Sequence, residues 1–272
     1  MSKLKMNTRK LRKNKLRAGF KPLQMLTCYD FQTAQLLNQT ELDLILVGDS
    51  LGNVILGYDT TVEVTIEEMR IFSSAVRRGA PDKFIVTDMP FGTYAIYEEG
   101  MKAALELFQK SKTDSLKLEG ASQVVLKIIK SLTETGVPVM GHIGLTPQSV
   151  HELGGYYTHG KTEDSKKLIL EQARELEKAG CFAIVLECVE KGLAKEITDS
   201  LSIPTIGIGA GLAVDGQVLV INDLLKTGEM SPPKFCKPIS DLYSLKKDLI
   251  TKYLSNKNQE ILNDLEKNSL HH

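Results

Sequence analysis

The chain has no excess of charge of either sign: 34 Lys and Arg are matched by 34 Asp and Glu. A net charge of zero gives no support to a nucleic-acid partner or an anionic surface. No apolar run approaches the ~20 residues that would cross a bilayer. Cysteine is scarce, and Cys28, Cys181, Cys188 and Cys236 show no metal-like spacing. Cys28 and Cys188 fall at expected strand ends, so buried free thiols are the reading, in a reducing cytoplasm. Repeats, low-complexity tracts and breaks between domains are also missing. No acidic residue precedes Asp30.

What is present fits one domain. A length of 272 residues is long for an ordinary domain and right for one α/β barrel. The composition, 42% hydrophobic and 25% charged, is that of a soluble globular protein. Residues 1–19 are strongly basic, from Lys3 to Arg17. A transit peptide or a nucleic-acid arm is acid-poor in the same way, but a secretory signal would need an apolar segment that is not there. Leu11 and Leu16, with Gly19 as a stop, predict a short helix packed on the base of a barrel.

The barrel itself is read from a recurring grammar. In Leu44-Ile-Leu-Val-Gly-Asp-Ser50 an apolar run stops at a glycine and polar residues follow at once. Successive apolar residues suit a parallel strand buried on both faces. Strands are expected at 23–29, 44–47, 84–87, 115–118, 137–141, 183–186, 204–208 and 218–221. Helices are expected at 30–38, 65–78, 98–111, 121–135, 162–179 and 192–201, with Asp30 as an N-cap. This describes a single-domain (β/α)8 barrel, with an N-terminal helix closing the base and a C-terminal helical extension from residue 240. The polar stretch 144–164, rich in Gly and Tyr, is longer than most connections and reads as a lid or binding loop.

In such a barrel the chemistry lies at the carboxyl ends of the strands. The residues expected there are Asp49, Ser50, Asp88, Lys117, Glu119, His142 and Glu187. One acidic residue at a strand end is more often a helix cap or surface charge. Three on consecutive strands, Asp49, Asp88 and Glu119, reverse that reading: converging like charges call for a cation, and oxygen-only ligation favours Mg²⁺. Lys117 faces an anionic substrate or pairs with a carboxylate. Glu187, across the mouth, is a candidate base. His142 reads first as a satisfied core histidine, with a supporting catalytic role as the alternative. The glycines of Ile206-Gly-Ile-Gly-Ala-Gly211 suit close packing around strand seven rather than a phosphate cradle.

Eight blocks in order resemble the ketopantoate (3-methyl-2-oxobutanoate) hydroxymethyltransferase family over roughly residues 20–240. They are Leu26-Thr-Cys-Tyr-Asp30, Val47-Gly-Asp-Ser-Leu-Gly52, Ala75-Val-Arg-Arg-Gly-Ala-Pro81, Asp88-Met-Pro-Phe-Gly92, Leu116-Lys-Leu-Glu-Gly120, Gly141-His-Ile-Gly-Leu-Thr-Pro-Gln-Ser149, Leu186-Glu-Cys188 and Ile203-Pro-Thr-Ile-Gly-Ile-Gly-Ala-Gly211. The resemblance implies a Mg²⁺-dependent transfer of a one-carbon unit from 5,10-methylenetetrahydrofolate to 3-methyl-2-oxobutanoate, through a metal-stabilised enolate. The product would be 2-dehydropantoate, for pantothenate and coenzyme A synthesis. It also implies that Asp49 and Asp88 ligate the metal, with Glu119 as a further ligand or a supporting partner. Ser50 and Lys117 would hold the keto acid and Glu187 would take the proton. The family forms oligomers, often decamers. The chain departs from the pattern at Arg70-Ile-Phe-Ser-Ser74, at Asn222 and in the lid Gly154-Gly-Tyr-Tyr-Thr-His-Gly-Lys161, and none of these removes a ligand or the base. Phosphoenolpyruvate mutase and isocitrate lyase enzymes are the nearest rival, but their Lys-Cys-Gly loop is missing here. A catalytically silent barrel would be favoured by a lost carboxylate, and all four are present.

Overall fold

The structure, a computed structural model, describes residues 5–13, 15, 21–155 and 157–269. The chain divides into two compact units at residue 220, and each is described by itself.

The first unit is a closed barrel of eight strands in sequence order, every pairing parallel. The strands are Leu23–Thr27 (β1), Leu44–Val47 (β2), Phe84–Asp88 (β3), Ser115–Glu119 (β4), Val139–Gly144 (β5), Ala183–Glu187 (β6), Thr205–Ile208 (β7) and Gly216–Leu219 (β8). All four residues of β2 are buried, because one set of side chains fills the barrel and the other meets the surrounding helices. Met25, Leu44, Val86, Met140 and Ile206 belong to the inner cluster. Within it Phe84 and Phe182 meet edge to face, with ring centroids 5.6 Å apart.

The helices of this unit are Thr8–Lys13 (α1), Phe31–Asn38 (α2), Ile66–Gly79 (α3), Tyr97–Ser111 (α4), Gln123–Glu134 (α5), Val150–Leu153 (α6), Glu163–Lys178 (α7) and Lys191–Ser200 (α8). Asp30 caps α2 as expected, its carboxylate accepting from the Thr33 N–H at 2.8 Å. Leu11 of α1 is fully buried and joins the inner cluster of the barrel. Arg12 donates to the Gly180 carbonyl at 3.3 Å and Lys5 pairs with Asp114 at 2.9 Å. Gly180 precedes β6 and Asp114 precedes β4, so α1 plugs the end where the strands begin. The predicted base-closing helix is therefore present, while Leu16 and Gly19 lie outside the described residues.

Two boundaries differ from expectation in ways that matter. β5 runs on to Gly144, because Glu119 pairs in register with His142 and Gly144 with Glu187. His142 thus lies inside a strand instead of following one. Gly216 pairs with both Leu23 and Ile206, so β8 begins earlier than predicted and Ile221 opens a helix instead of ending a strand. As expected, no helix lies between β7 and β8, which residues 209–215 connect directly. Val214 lies against Gly207, 3.0 Å from where a Cβ would stand. Close packing is the role of that glycine.

The second unit contains Ile221–Leu225 (α9) and Leu242–Ser269 (α10), which supplies the expected C-terminal helix. The Asp241 carboxylate accepts from the Ser244 N–H at 3.0 Å at the start of α10 and pairs with Lys226. No helix among the described residues is long and apolar enough to cross a membrane.

Candidate active site

Strand register brings the polar residues level with one another. Asp88 stands beside Lys117, Glu119 beside His142, and Gly144 beside Glu187. Asp49 and Ser50 follow β2 directly. Asp49, Asp88, Lys117, Glu119 and His142 are all at most 6% exposed, and the Glu187 side chain, at 17%, is the more open one. All seven predicted residues therefore meet at one end of the barrel.

Lys117 is the hub. Its Nζ lies 3.1 Å from Asp88 Oδ1, 3.8 Å from Glu119 Oε1 and 3.1 Å from His142 Nδ1. Burial alone would discharge an ammonium, but the charges of Asp88, Glu119 and Asp49 outweigh it and raise the Lys117 pKa. Of the two readings of Lys117, the pairing with carboxylates is the one these contacts show. Asp49 and Asp88 touch through the Asp49 N–H, which donates to Asp88 Oδ2 at 3.1 Å. Burial, then the neighbouring charges of Asp88 and Glu119, push the Asp49 carboxyl well above its usual range. Burial also raises Asp88, against the pull of Lys117. Glu119 is lowered instead, because His142, Lys117 and the Gln148 N–H offset its burial.

His142 bridges the hub and the open edge. Nδ1 is 3.1 Å from Glu119 Oε1 as well as from Lys117, and Nε2 is 3.2 Å from Glu187 Oε2. Burial and the Lys117 charge lower the ring, while Glu119 and Glu187 more than offset them and lift it to about 9. The hydrogen-bond geometry pulls the other way: an ammonium approaching Nδ1 needs a lone pair there. Of these contacts the Lys117 one has hydrogen-bond geometry, whereas Glu119 Oε1 and His142 Nε2 have no partner that meets it. The ring thus meets Lys117 at Nδ1 and presents Nε2 to Glu187.

Three further side chains complete the site: Gln148 and Tyr29 lie inside the sequence blocks and Tyr94 two residues past one. Gln148 follows Pro147 in a short 3-10 turn of the lid and drops into the floor. Its Nε2 donates to Asp49 Oδ2 at 2.7 Å and to the Met89 carbonyl at 2.9 Å, and its backbone N–H donates to Glu119 Oε2 at 3.2 Å. Tyr94 donates to Gln148 Oε1. The Tyr29 hydroxyl lies 2.8 Å from Ser50 Oγ. An amide among acidic strand ends was the available signal for Gln148; Tyr29 and Tyr94 carry none beyond being phenols near strand ends.

The 144–164 segment leaves the strand sharply. Gly144 has φ 95°, and a Cβ there would stand 2.3 Å from the Glu187 carbonyl oxygen, so only glycine allows the chain to turn over β6. Next to Glu187, Cys188 holds φ 48°, a left-handed conformation that a non-glycine residue adopts at a cost of order 1–3 kcal/mol and that recurs at functional sites. The strain is held by hydrogen bonds from the Cys188 N–H to the Ile208 carbonyl and from the His159 N–H to the Cys188 carbonyl, both 2.8 Å.

The site fits a hard divalent cation. Asp49, Asp88 and Glu119 offer only oxygen and, among the described residues, face a single ammonium and leave Asp88 Oδ1 and Glu119 Oε1 buried without a well-formed hydrogen bond. Among the described residues no three His, Cys, Asp or Glu side chains converge as a finished metal cage. A pair of carboxylates suffices for Mg²⁺, which takes its remaining ligands from substrate and water.

Comparison with known proteins agrees with this geometry. The barrel superposes on phosphonopyruvate hydrolase in complex with oxalate and Mg²⁺ at TM-score 0.58, with 10% identity over 78% of this chain and 80% of that one. Phosphoenolpyruvate phosphomutase from Streptomyces platensis subsp. rosaceus gives TM-score 0.59, with 12% identity over 95% of this chain and 88% of that one. Those likenesses establish the fold alone. Sequence carries the rest. The chain is 47% identical to 3-methyl-2-oxobutanoate hydroxymethyltransferase of Leptospira interrogans over 86% of its length and 89% of the relative. It is 52% identical to the enzyme of that name from Bacillus cereus over 82% of its length and 80% of the relative. The family model of ketopantoate hydroxymethyltransferase matches residues 5–261. With strand ends, register and sequence in agreement, this chain belongs to the ketopantoate hydroxymethyltransferase family.

Proposed function

We propose that the chain transfers a one-carbon unit from 5,10-methylenetetrahydrofolate to 3-methyl-2-oxobutanoate, giving 2-dehydropantoate for pantothenate and coenzyme A synthesis. The observation that carries the reading is one constellation: three buried carboxylates around Lys117, with a fourth, Glu187, at the open edge. Mg²⁺ bound by Asp49 and Asp88, with Glu119 supporting, would supply positive charge for the keto and carboxylate oxygens of the substrate.

The protein's own groups do the remaining work. Lys117 is a fixed positive charge at the floor, and Ser50, held by Tyr29, offers a hydroxyl to the substrate carboxylate. Glu187 takes the C3 proton, and His142 orients its carboxylate from Nε2. One water opens the methylene bridge of the donor, releasing tetrahydrofolate and leaving the one-carbon unit as an aldehyde; the carbon left behind attacks that carbonyl carbon, and its oxygen takes up a proton to become the hydroxyl of the product. The same reading carries homo-oligomeric assembly and a cytoplasmic place of action.

The test is exchange of the C3 proton of 3-methyl-2-oxobutanoate into D₂O, followed by NMR. Exchange should require the enzyme, Mg²⁺ and an intact Glu187, and adding the folate donor should then give ketopantoate. Absence of both exchange and product under every metal condition would sink the reading and favour a silent barrel.

A further inference from the structure

Two apolar side chains of the barrel interior reach the mouth, and the chemistry above leaves both unassigned. Every member of the inner cluster is at most 3% exposed except Leu46, at 8%, and Ile208, at 9%. Both stand near the carboxyl ends of their strands, β2 and β7, while Leu11 of α1 seals the opposite end. Their open surface therefore faces the active site. Leu46 borders a gap left by Gly48: a Cβ there would stand 2.9 Å from Ser50 Oγ, 3.4 Å from Asp88 Oδ2 and 3.6 Å from Leu46 Cδ2. That space has a hydroxyl and a carboxylate on its sides and a leucine methyl beneath.

Ile208 occupies a different quarter of the mouth. It pairs in register with Glu187, and registered neighbours on parallel strands point to the same face of the sheet. Glu187 reaches inward to His142 Nε2, so Ile208 lines the interior directly beside the base. This separation of polar and apolar groups matches an anionic keto acid with a branched tail. Lys117 and Ser50 draw the carboxylate end toward β2 and β4, and the carbon that gives up its proton must lie against Glu187. Substituents on that carbon then meet the neighbour of Glu187 on the sheet, which is Ile208. A polar branch would lose its hydration there without gaining a partner. An isoleucine, stiff at χ1, also gives the wall a fixed shape.

We propose that Ile208 is a specificity-determining residue, packing against the alkyl branch at C3 and setting the longest branch the site admits, with Leu46 as the floor. This rests on the keto acid and the base named under Proposed function. The test compares kcat/KM for exchange of the C3 proton into D₂O, with Mg²⁺ present, for 3-methyl-2-oxobutanoate and for 3-methyl-2-oxopentanoate, whose branch is one methylene longer. Wild type should favour the shorter acid. Ile208→Ala should shift the ratio toward the longer acid by about tenfold or more, the usual effect of one methylene in an apolar pocket, and Ile208→Val should shift it the same way by less. A residue needed only for packing would lower both acids alike. An unchanged ratio in Ile208→Ala, or a wild type that takes both acids equally, overturns the wall while leaving the reaction standing. A wild type that exchanges neither acid overturns the reaction reading together with the wall.

Discussion

Gln148 offers the sharpest test of how the site is built. It satisfies Asp49 Oδ2, the Met89 carbonyl and the Tyr94 hydroxyl with one buried amide. Gln148→Leu keeps most of the volume and removes every one of those partners. Each buried group left unpaired costs about 1–3 kcal/mol, so Gln148→Leu should destabilise the fold by roughly 3–6 kcal/mol. Gln148→Ala removes the same bonds but opens space in a polar setting, where water can enter and rebond. Its cost should fall to about 1–3 kcal/mol. Both variants lose the donor that orients Asp49, so turnover should drop by about a hundredfold or more even where the fold survives. Urea unfolding measures the first effect and steady-state turnover below the unfolding transition measures the second. Equal stability of the Leu and Ala variants, or near-wild-type turnover in either, would refute the reasoning.

Four other outcomes follow from the same structure. Leu11→Ala should cost about 2–5 kcal/mol in chemical denaturation, because its side chain is 1% exposed and fills the base of the barrel, while turnover of the folded protein stays close to wild type. Burial pushes the thiols of Cys28 and Cys181 up to about 12. Native protein at pH 8 should therefore resist alkylation at both, as followed by mass spectrometry, until denaturant is added. The sign for stability is also defined: the unfolded thiols ionise near 9 while the folded ones keep their protons, so stability falls as pH rises from about 9 toward 12. Asp49→Asn relieves the crowding of like charges and should raise metal-free stability by about 1 kcal/mol, yet abolish metal-dependent turnover. Retained turnover with unchanged Mg²⁺ dependence would dismiss the metal site.

The barrel was legible because its strands are short, apolar on successive residues and cut off by polar ones, a pattern that few other folds produce. The strand-end carboxylates were legible for the same reason: Asp88, Glu119 and Glu187 each follow apolar or backbone-buried residues. Contacts made across the sheet were not legible. His142 looks like a loop residue until register pairs it with Glu119, and Lys117 looks like a partner for substrate or carboxylate until both Asp88 and His142 are seen beside it. Gln148 depends on the path of the lid, which periodicity does not encode. The start of β8 was hidden too, since Gly209, Gly211 and Asp215 could equally end one element and begin another.

The two ends of the barrel show why the site can hold so much unsatisfied charge. At the base, Leu11 seals an apolar cluster, and Asp215, fully buried, is answered by Lys15 at 3.0 Å and by the Thr205 N–H at 2.9 Å. Burying a carboxylate there is offset by direct partners. At the other end Asp49, Asp88 and Glu119 share one ammonium, and two of their oxygens lack a well-formed hydrogen bond. A protein selected for stability alone would have repaired that imbalance, since each uncompensated carboxylate opposes folding. Its persistence next to a strained Cys188 marks the charge as reserved for something that binds. Three carboxylates against one ammonium leave two negative charges, which a single divalent cation would cancel.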